Sequence, residues 1–189
     1  MSLEEPDLKF CPSCGATVLY QTPAGDNRLR AVCTQCQTIH YQNPRLVVGT
    51  IPVWNDQILL CRRAIEPRRG FWTLPAGFME NGESTAQGAA RETDEEAGAQ
   101  FTMGALFSII DVAQVRQVHI FYLAQVTSPV FNPGDESLEV QLFSEENIPW
   151  DSIAFRTVSQ TLEWFFSDRK NKHVQVHSTA LTYPPKANT

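Results

Sequence analysis

One stretch constrains the fold of this chain more than any other: residues 77–99, which read GFMENGESTAQGAARETDEEAGA. Ser84 followed three residues later by Gln87 resembles a capping box, which satisfies free backbone groups at the start of a helix. Gly98 is a natural helix stop, because glycine adopts the left-handed conformation there at little steric cost. The stretch therefore predicts a helix over residues 84–97.

The predicted helix carries three glutamates on one face. Glu92, Glu95 and Glu96 stand at positions i, i+3 and i+4, so their carboxylates are neighbours. Adjacent like charges destabilise a helix unless a divalent cation neutralises them, and carboxylate oxygens suit Mg²⁺ or Mn²⁺. Arg91 lies on a neighbouring face, where it is placed to anchor Glu83 and hold the preceding loop. The alternative is a solvated acidic face, which is common on helices.

The first part of the chain carries a second metal pattern. Cys11 and Cys14 form one CxxC pair and Cys33 and Cys36 form another, with eighteen residues between the pairs, a spacing typical of zinc sites. Two such pairs complete a tetrahedral thiolate cage with no open position for water, so a structural Zn²⁺ is predicted. Disulfides or free thiols are the alternatives. The odd cysteine count disfavours disulfides, and residues 9–42 hold too few large apolar side chains to fold without metal.

The remaining patterns divide the chain into three parts. Residues 1–42 are predicted as a tail and zinc ribbon, residues 43–170 as an α/β domain, and residues 171–189 as a polar C-terminal tail. In the middle part, RLVVGTIPVW and QILLCRR predict a hairpin, and FTMGALFSIIDV and VRQVHIFYLAQV predict antiparallel neighbours. LEVQLFS predicts a last short strand, and a second helix is expected over residues 151–168. His40 is expected to be a surface or packing residue.

Composition limits the class of protein. A chain of 189 residues with 42% hydrophobic and 19% charged residues has the balance of a folded soluble protein. The net charge of −6 argues against a broad nucleic-acid or anionic-membrane surface. No apolar run approaches the length of a membrane span, and the start MSLEEPDLKF is not a secretory signal. The expected location is cytoplasmic, with no membrane partner and no nucleic-acid partner.

The full spacing of residues 77–99 favours the metal site over the solvated face, since ordinary composition yields it by chance in roughly 10⁻⁸ of registers. The stretch resembles the Nudix box, Gx5Ex7REUxEExGU, where U is a bulky aliphatic residue. Thr93 and Ala99 occupy the U positions and are smaller than the usual residues, which is expected to affect packing more than chemistry. All seven fixed positions are met, by Gly77, Glu83, Arg91, Glu92, Glu95, Glu96 and Gly98.

The resemblance implies a fold and a reaction. The implied fold is α/β, a Nudix α/β/α sandwich with a mixed sheet, preceded here by the zinc ribbon. The implied reaction is a Mg²⁺-dependent attack of water on a phosphorus of a nucleoside diphosphate linked to another moiety. Glu92, Glu95 and Glu96 are the implied metal ligands, with the Gly77 carbonyl as a further candidate. Glu83 is implied to pair with Arg91 or to join the metal shell. Glu83, Arg91 and Glu95 are therefore candidate catalytic residues.

Other site residues are less strongly indicated. Related enzymes often take a general base from a loop well after the box, where Glu136 and Glu139 stand here as candidate bases or metal ligands. Arg62 and Arg69 surround the loop before the box and are candidates for substrate phosphates. Phe78 is a candidate for stacking on an adenine or flavin. The alternatives are ordinary surface charge for the charged residues and core packing for the aromatic one.

A zinc ribbon before a Nudix domain resembles two groups of enzymes. NADH pyrophosphatases carry a downstream SQPWPFPxS array. This chain has VFNPGDES in that region, which does not match the array. The ADP-ribose/FAD pyrophosphatases of plant plastids and their bacterial relatives are similar over most of the chain, including KFCPSCG, HYQNPR, LLCRRAIEP and ESLEVQLFSEENIPWDSIAF. Ala113 stands where ADP-ribose hydrolases often carry a proline.

The predicted function is therefore cleavage of FAD, ADP-ribose or an NADH-like dinucleotide into two monophosphates. The partner is a small-molecule nucleotide diphosphate derivative, and a homodimer is a family-level expectation. One alternative is a nucleoside triphosphate clean-up pyrophosphatase. The other is a non-catalytic nucleotide-sensing module on the same scaffold.

Overall fold

The computed structural model describes residues 8–182 and divides the chain after Pro44 into two units. The first unit is an antiparallel sheet in the order β1-β2-β3, formed by β1 (Val18–Gln21), β2 (Arg30–Cys33) and β3 (Ile39–His40). Its buried apolar residues are small ones, Ala31 and Val32, beside two of the cysteines. Hydrophobic burial therefore contributes little to the stability of this unit.

The second unit is built on an eight-stranded mixed sheet. Its strands are β4 (Arg45–Trp54), β5 (Gln57–Arg63), β6 (Trp72–Thr73), β7 (Ala76–Phe78), β8 (Phe101–Val112), β9 (Gln117–Val126), β10 (Ser137–Phe143) and β11 (His177–Ala180). The main path runs β10-β5-β4-β9-β8-β11, with β6 paired to β5 and β7 paired to β4. The pairs β4–β9 and β8–β11 are parallel, and the other pairs are antiparallel.

Two α-helices cover opposite faces of this sheet, α1 (Thr85–Ala97) and α2 (Arg156–Asn171). Alternate residues of β5 show the arrangement, because neighbouring strand residues point to opposite faces. Ile58 and Leu60 belong to the large core with Val158, Leu162 and Phe166 of α2. Leu59 and Cys61 belong to a second core with Ala97 of α1. The predicted α/β/α sandwich with a mixed sheet is thereby confirmed.

The predicted caps of α1 are confirmed. Ser84 is the N-cap, its side chain accepts from the amide of Gln87, and the Gln87 side chain accepts from the Ser84 amide. Gly98 is the C-cap with φ 55° in the left-handed region. The helix therefore begins and ends where its own local hydrogen bonds require.

The prediction for the start of the second helix was wrong. Residues 151–155 are not part of α2, which begins at Arg156. Ile153 instead forms a β-bridge with Trp72, and the amide of Ala154 donates to the Trp72 carbonyl at 2.8 Å. This contact with a strand distant in sequence holds the backbone at Ile153 extended, and the helix begins only after it.

The predicted C-terminal tail also contains a strand. β11 lies parallel to β8 at one edge of the sheet. His177 in β11 donates from Nε2 toward Asp168 Oδ2 at 2.9 Å and stacks on the Trp164 ring at 4.8 Å between centroids. The strand is held by partners far away in sequence, which is why its polar composition did not reveal it.

The sheet opens between β4 and β5. These strands pair only at Val53 and Trp54 of β4, and nearer its start β4 pairs with β7 instead. Thr50 donates its amide toward β7, to the carbonyl of Pro75 at 3.1 Å. The backbone nitrogen of Pro52, two residues later in the strand, points to the same side as that of Thr50. Proline has no N–H to donate, and here the missing donor falls at the opening of the sheet. The opening brings β7 and its Gly77 against α1.

A partly buried histidine joins the sheet to α2. The Nε2 atom of His119 lies 3.0 Å from Gln117 Oε1, and its Nδ1 atom lies 3.0 Å from the Thr157 hydroxyl. The amide oxygen only accepts, so this network assigns the proton to Nε2 and makes Thr157 the donor to Nδ1. Burial lowers the pKa of His119 to about 4. The neutral ring is the form that the fold accommodates.

We expect acid to destabilise the protein through His119. The unfolded chain has a histidine pKa of about 6.5, so below that pH it binds a proton that the folded chain excludes. The stability associated with this neutral ring is complete above about pH 6.5 and falls by about 3 kcal/mol as the pH approaches 4. Urea unfolding across this pH range measures the loss. His119→Gln should show a shallower pH dependence, and equal slopes for the two proteins would contradict the expectation.

Within residues 8–182, neither helix combines the length and the apolar composition needed to cross a membrane.

Candidate active site

The four cysteines of the first unit converge on one point. Their sulfur atoms all lie within 4.8 Å of one another, with Cys14 and Cys33 at 3.4 Å and Cys11 and Cys36 at 3.7 Å. A tetrahedral zinc with Zn–S bonds of about 2.3 Å places its sulfurs about 3.8 Å apart. No disulfide joins these four cysteines, so their sulfurs are available to bind a metal. The donor set and its spacing therefore fit a structural Zn²⁺.

Hydrogen-bond donors surround these sulfurs. The amide of Cys36 donates to Cys33 Sγ at 3.3 Å, and Thr38 Oγ1 lies 3.1 Å from Cys36 Sγ. The contact with the Thr38 side chain is the main cause that lowers the pKa of Cys36 to about 6. His40, predicted as a surface or packing residue, lies with Nε2 3.3 Å from Cys11 Sγ. Such contacts stabilise thiolates, the form that binds metal.

In the second unit, α1 lies close to the sheet because its inner face is made of small residues. A Cβ at Gly88 would come within 2.9 Å of Val48 Cγ2 in β4. Thr93, at the first aliphatic position of the box, is fully buried and donates its hydroxyl to the Ala89 carbonyl at 2.7 Å. Since that hydroxyl proton is used, Thr50 Oγ1 donates to Thr93 Oγ1, also at 2.7 Å. The polar residue is thus satisfied within the interface.

Arg91 clamps the loop before α1 onto the helix. Its guanidinium donates to both carboxylate oxygens of Glu83, at 3.1 and 2.9 Å, and to the Phe78 carbonyl at 3.1 Å. This pairing is the main cause that lowers the pKa of Glu83 to about 2. The same guanidinium also contacts Glu92 Oε1 at 2.7 Å and Glu95 Oε2 at 3.0 Å. Arg91 therefore joins the loop carboxylate to the glutamate face.

The glutamate face is partly buried against the opening in the sheet. Glu96 is 6% exposed and accepts from the amide of Ala76 at 3.2 Å. Burial is the main cause that raises the pKa of Glu96 to about 8, and burial likewise raises the pKa of Glu92. A Cβ at Gly77 would overlap the Glu92 carboxylate, so the carboxylate in this position occupies the space that a side chain would fill. A raised pKa means that the charged form of a carboxylate lacks compensation by its surroundings. A bound cation would supply that compensation.

The arrangement of the glutamates differs from that of the cysteines. Among residues 8–182, the cysteine cluster is the one group of His, Cys, Asp or Glu side chains gathered around a single point. Glu92 and Glu95 share a helix face but both bind Arg91, and Glu95 remains exposed. The chemistry and burial of this donor set fit Mg²⁺ or Mn²⁺.

The two candidate bases occupy different surroundings. The charge of Glu136 is one of the lesser causes that raise the pKa of Glu92 and of Glu96, after burial. Glu139 lies in β10 opposite Arg62, whose guanidinium is 3.6 Å from Glu139 Oε2. Glu136 lies two residues after Gly134, whose amide donates to the Glu96 carbonyl at 3.2 Å. The backbone that carries Glu136 is therefore anchored next to α1, while Glu139 pairs with an arginine of β5.

The candidate substrate residues lie around the loop between β5 and β6. Arg62 donates from Nε to the Gly70 carbonyl at 3.0 Å, and Arg69 is exposed on the loop itself. Phe78 is 45% exposed, with the Arg45 guanidinium 4.6 Å from its ring centroid. Arg63, one of the four arginines that the sequence places around this loop together with Arg62, Arg68 and Arg69, has a charge that opposes the rise in the pKa of Glu96. No spacing signal in the sequence distinguishes Arg63 from its arginine neighbours.

The fold and this site define a class: a zinc-ribbon module joined to an α/β/α domain whose first helix presents buried carboxylates. The Nudix N-terminal zinc-ribbon model matches residues 9–42, and the NUDIX domain model matches residues 43–165. The chain belongs to the Nudix family, whose members are hydrolases of phosphoanhydride bonds.

Three similar proteins illustrate its relationships. A crystal structure of a NUDIX hydrolase from Nitrosomonas europaea is 46% identical, with a TM-score of 0.89 over 92% of this chain and 98% of that chain. The NAD-capped RNA hydrolase NudC of Vibrio vulnificus is 30% identical over 82% of this chain, which spans 59% of the length of that protein. The ADP-ribose pyrophosphatase of Methanocaldococcus jannaschii is 28% identical over 66% of this chain and 76% of its own length.

Proposed function

We propose that this protein is a Mg²⁺-dependent pyrophosphohydrolase that cleaves a nucleoside diphosphate linked to another moiety into two monophosphates. The observation that carries the proposal is a pair of neighbouring carboxylates on α1. That of Glu96 is buried, and that of Glu92 lies against Gly77, which has no side chain. Burying two neighbouring carboxylates is costly unless a cation joins them. A helix that keeps both in this position is built to hold a divalent ion.

The residues divide the work as follows. Glu92, Glu95, Glu96 and the Gly77 carbonyl would hold Mg²⁺ or Mn²⁺. Bound there, the ion would supply charge neutralisation for the diphosphate and a lowered pKa for a coordinated water. The Arg91–Glu83 pair keeps the loop that carries Gly77 seated on α1.

Glu136 is proposed to accept the proton of the attacking water, since its charge is among those that act on Glu92 and Glu96. Glu139 is the alternative. Arg62 and Arg69 are proposed to bind the substrate phosphates. Phe78 is proposed to stack on the base or flavin, because its ring is exposed.

The proposed substrates are FAD, ADP-ribose and NADH-like dinucleotides. The relatives named for NAD-capped RNA and for ADP-ribose support this class, because both compounds contain a diphosphate that joins two ribosyl groups. The net charge of −6 favours a small molecule over a long nucleic acid. We also propose a cytoplasmic location, and a homodimer as a family-level expectation.

The test is product analysis on a nucleotide panel with Mg²⁺, comparing the wild type with Glu95→Gln. We expect two monophosphates from one of the dinucleotides and strongly reduced turnover in the variant. Release of pyrophosphate from nucleoside triphosphates would assign the protein to the clean-up class. Binding without turnover would identify a sensor. Turnover unchanged in Glu95→Gln would contradict the site.

A second candidate activity is hydrolysis of NAD-capped RNA, favoured by the similarity to NudC proteins. A capped oligonucleotide belongs in the same panel for this reason. Cleavage of the capped RNA with free dinucleotides left intact would establish this activity in place of the small-molecule one.

A further inference from the structure

The loop between β9 and β10 lies against the last turn of α1. The amide of Asn132 donates to the Ala97 carbonyl at 2.9 Å, and the amide of Gly134 donates to the Glu96 carbonyl at 3.2 Å. A helix end leaves carbonyls without intrahelical partners, and these two amides satisfy two of them. The loop is therefore part of the C-terminal cap of the glutamate-bearing helix.

The contact is close enough to require glycine. A Cβ at Gly134 would overlap the carbonyl oxygen of Glu95 and lie 3.0 Å from the carbonyl carbon. These are backbone atoms within a helix, which cannot turn aside as the end of a side chain can. Gly134 does not have a positive φ, so the position demands space and not an unusual backbone conformation.

The position of Gly134 is passed on to Glu136 over two residues. The amide of Ser137 donates to the Gly134 carbonyl at 2.9 Å, which closes a tight turn over residues 134–137. Within this turn, the Glu136 carbonyl accepts from the amide of Ala64 at 2.8 Å. The turn that carries Glu136 is thus held by α1 at Gly134 and by the residue after β5 at Glu136.

We propose that Gly134 is a positioning residue: its bare Cα seats the turn over residues 134–137 on the Glu95 carbonyl and so fixes the backbone of Glu136 beside the glutamate-bearing helix. The structural part of this inference rests on the fold alone. The catalytic part rests on the proposed function, in which Glu136 accepts the proton of the attacking water.

The test combines Gly134→Ala with Glu136→Gln and two measurements. We expect hydrogen exchange at the amides of Asn132 and Gly134 to be protected in the wild type and about tenfold or more faster in Gly134→Ala, because the cap is lost. We expect kcat to fall by about tenfold or more with little change in KM. In the Glu136→Gln background, adding Gly134→Ala should lower kcat no further, because both changes act on the same group.

Gly104→Ala is the matched control. A Cβ at Gly104 would lie 2.9 Å from the Leu123 carbonyl oxygen, so this variant also strains backbone packing, between β8 and β9. It should leave kcat and exchange at Asn132 and Gly134 unchanged.

Wild-type exchange rates in Gly134→Ala, or equal kcat losses in both Glu136 backgrounds, would overturn the proposal. If Gly134→Ala does not fold, unprotected amides at Asn132 and Gly134 in the wild type would overturn it. A wild type that hydrolyses no nucleotide defeats the proposed function, while the exchange data still decide whether Gly134 seats the turn.

Discussion

Glu96→Gln is expected to abolish Mg²⁺-dependent hydrolysis while leaving the fold intact. The amide has the shape of a protonated carboxyl, and burial already favours the neutral form of this side chain by raising the pKa of Glu96 to about 8. Its oxygen can still accept from the amide of Ala76. What it loses is the charge that attracts a cation, and loss of a metal contribution of several kcal/mol corresponds to about a thousandfold in kcat/KM.

The measurement is kcat/KM at saturating Mg²⁺ together with a Mn²⁺ binding titration. Asp94→Asn is the matched control, because it removes the same charge from an exposed position of the same helix. We expect the control to retain activity and metal affinity. Full activity in Glu96→Gln, or equal losses in the two variants, would show that α1 does not bind the metal through this carboxylate.

Removal of zinc is expected to unfold the first unit. Structural zinc binding contributes about 10–16 kcal/mol in small zinc domains. Burial of a side chain such as Val32 contributes only about 1.5–3 kcal/mol, and Ala31 contributes less. Over residues 8–44, the unit therefore has no apolar core that could replace the metal.

Hydrogen exchange over residues 18–40, before and after treatment with a strong chelator, measures this unfolding. We expect one zinc per chain in the wild type, loss of protection on chelation, and loss of zinc in Cys33→Ser. Cys61→Ala, which changes a buried cysteine of the second unit, should retain its zinc. Protection that survives zinc removal would contradict the metal-dependent fold.

Features encoded within a few residues were predictable. The caps of α1 follow from Ser84, Gln87 and Gly98, because each acts on backbone groups in the adjacent turn. The shared face of the glutamates follows from helical periodicity alone. The cysteine cluster was predictable for a similar reason, since each CxxC pair brings two sulfurs together locally and a metal needs two pairs.

Features that depend on distant partners were not predictable. Ile153 fits the helical period but bridges Trp72, and β11 is polar yet pairs with β8. The sequence offered Glu136 and Glu139 as equivalent bases, whereas the register of β10 places Glu139 opposite Arg62 and the turn that carries Glu136 is anchored on α1.

By itself, the sequence determined the two metal-binding patterns, the capped helix and the family to which the chain belongs. The tertiary structure alone decided which carboxylates are buried, that Glu139 pairs with Arg62, and that Gly134 must be bare where it meets α1. The physical reason is range. Turns and caps are set by neighbouring backbone groups, whereas burial and charge proximity depend on strands that meet only after the sheet has formed.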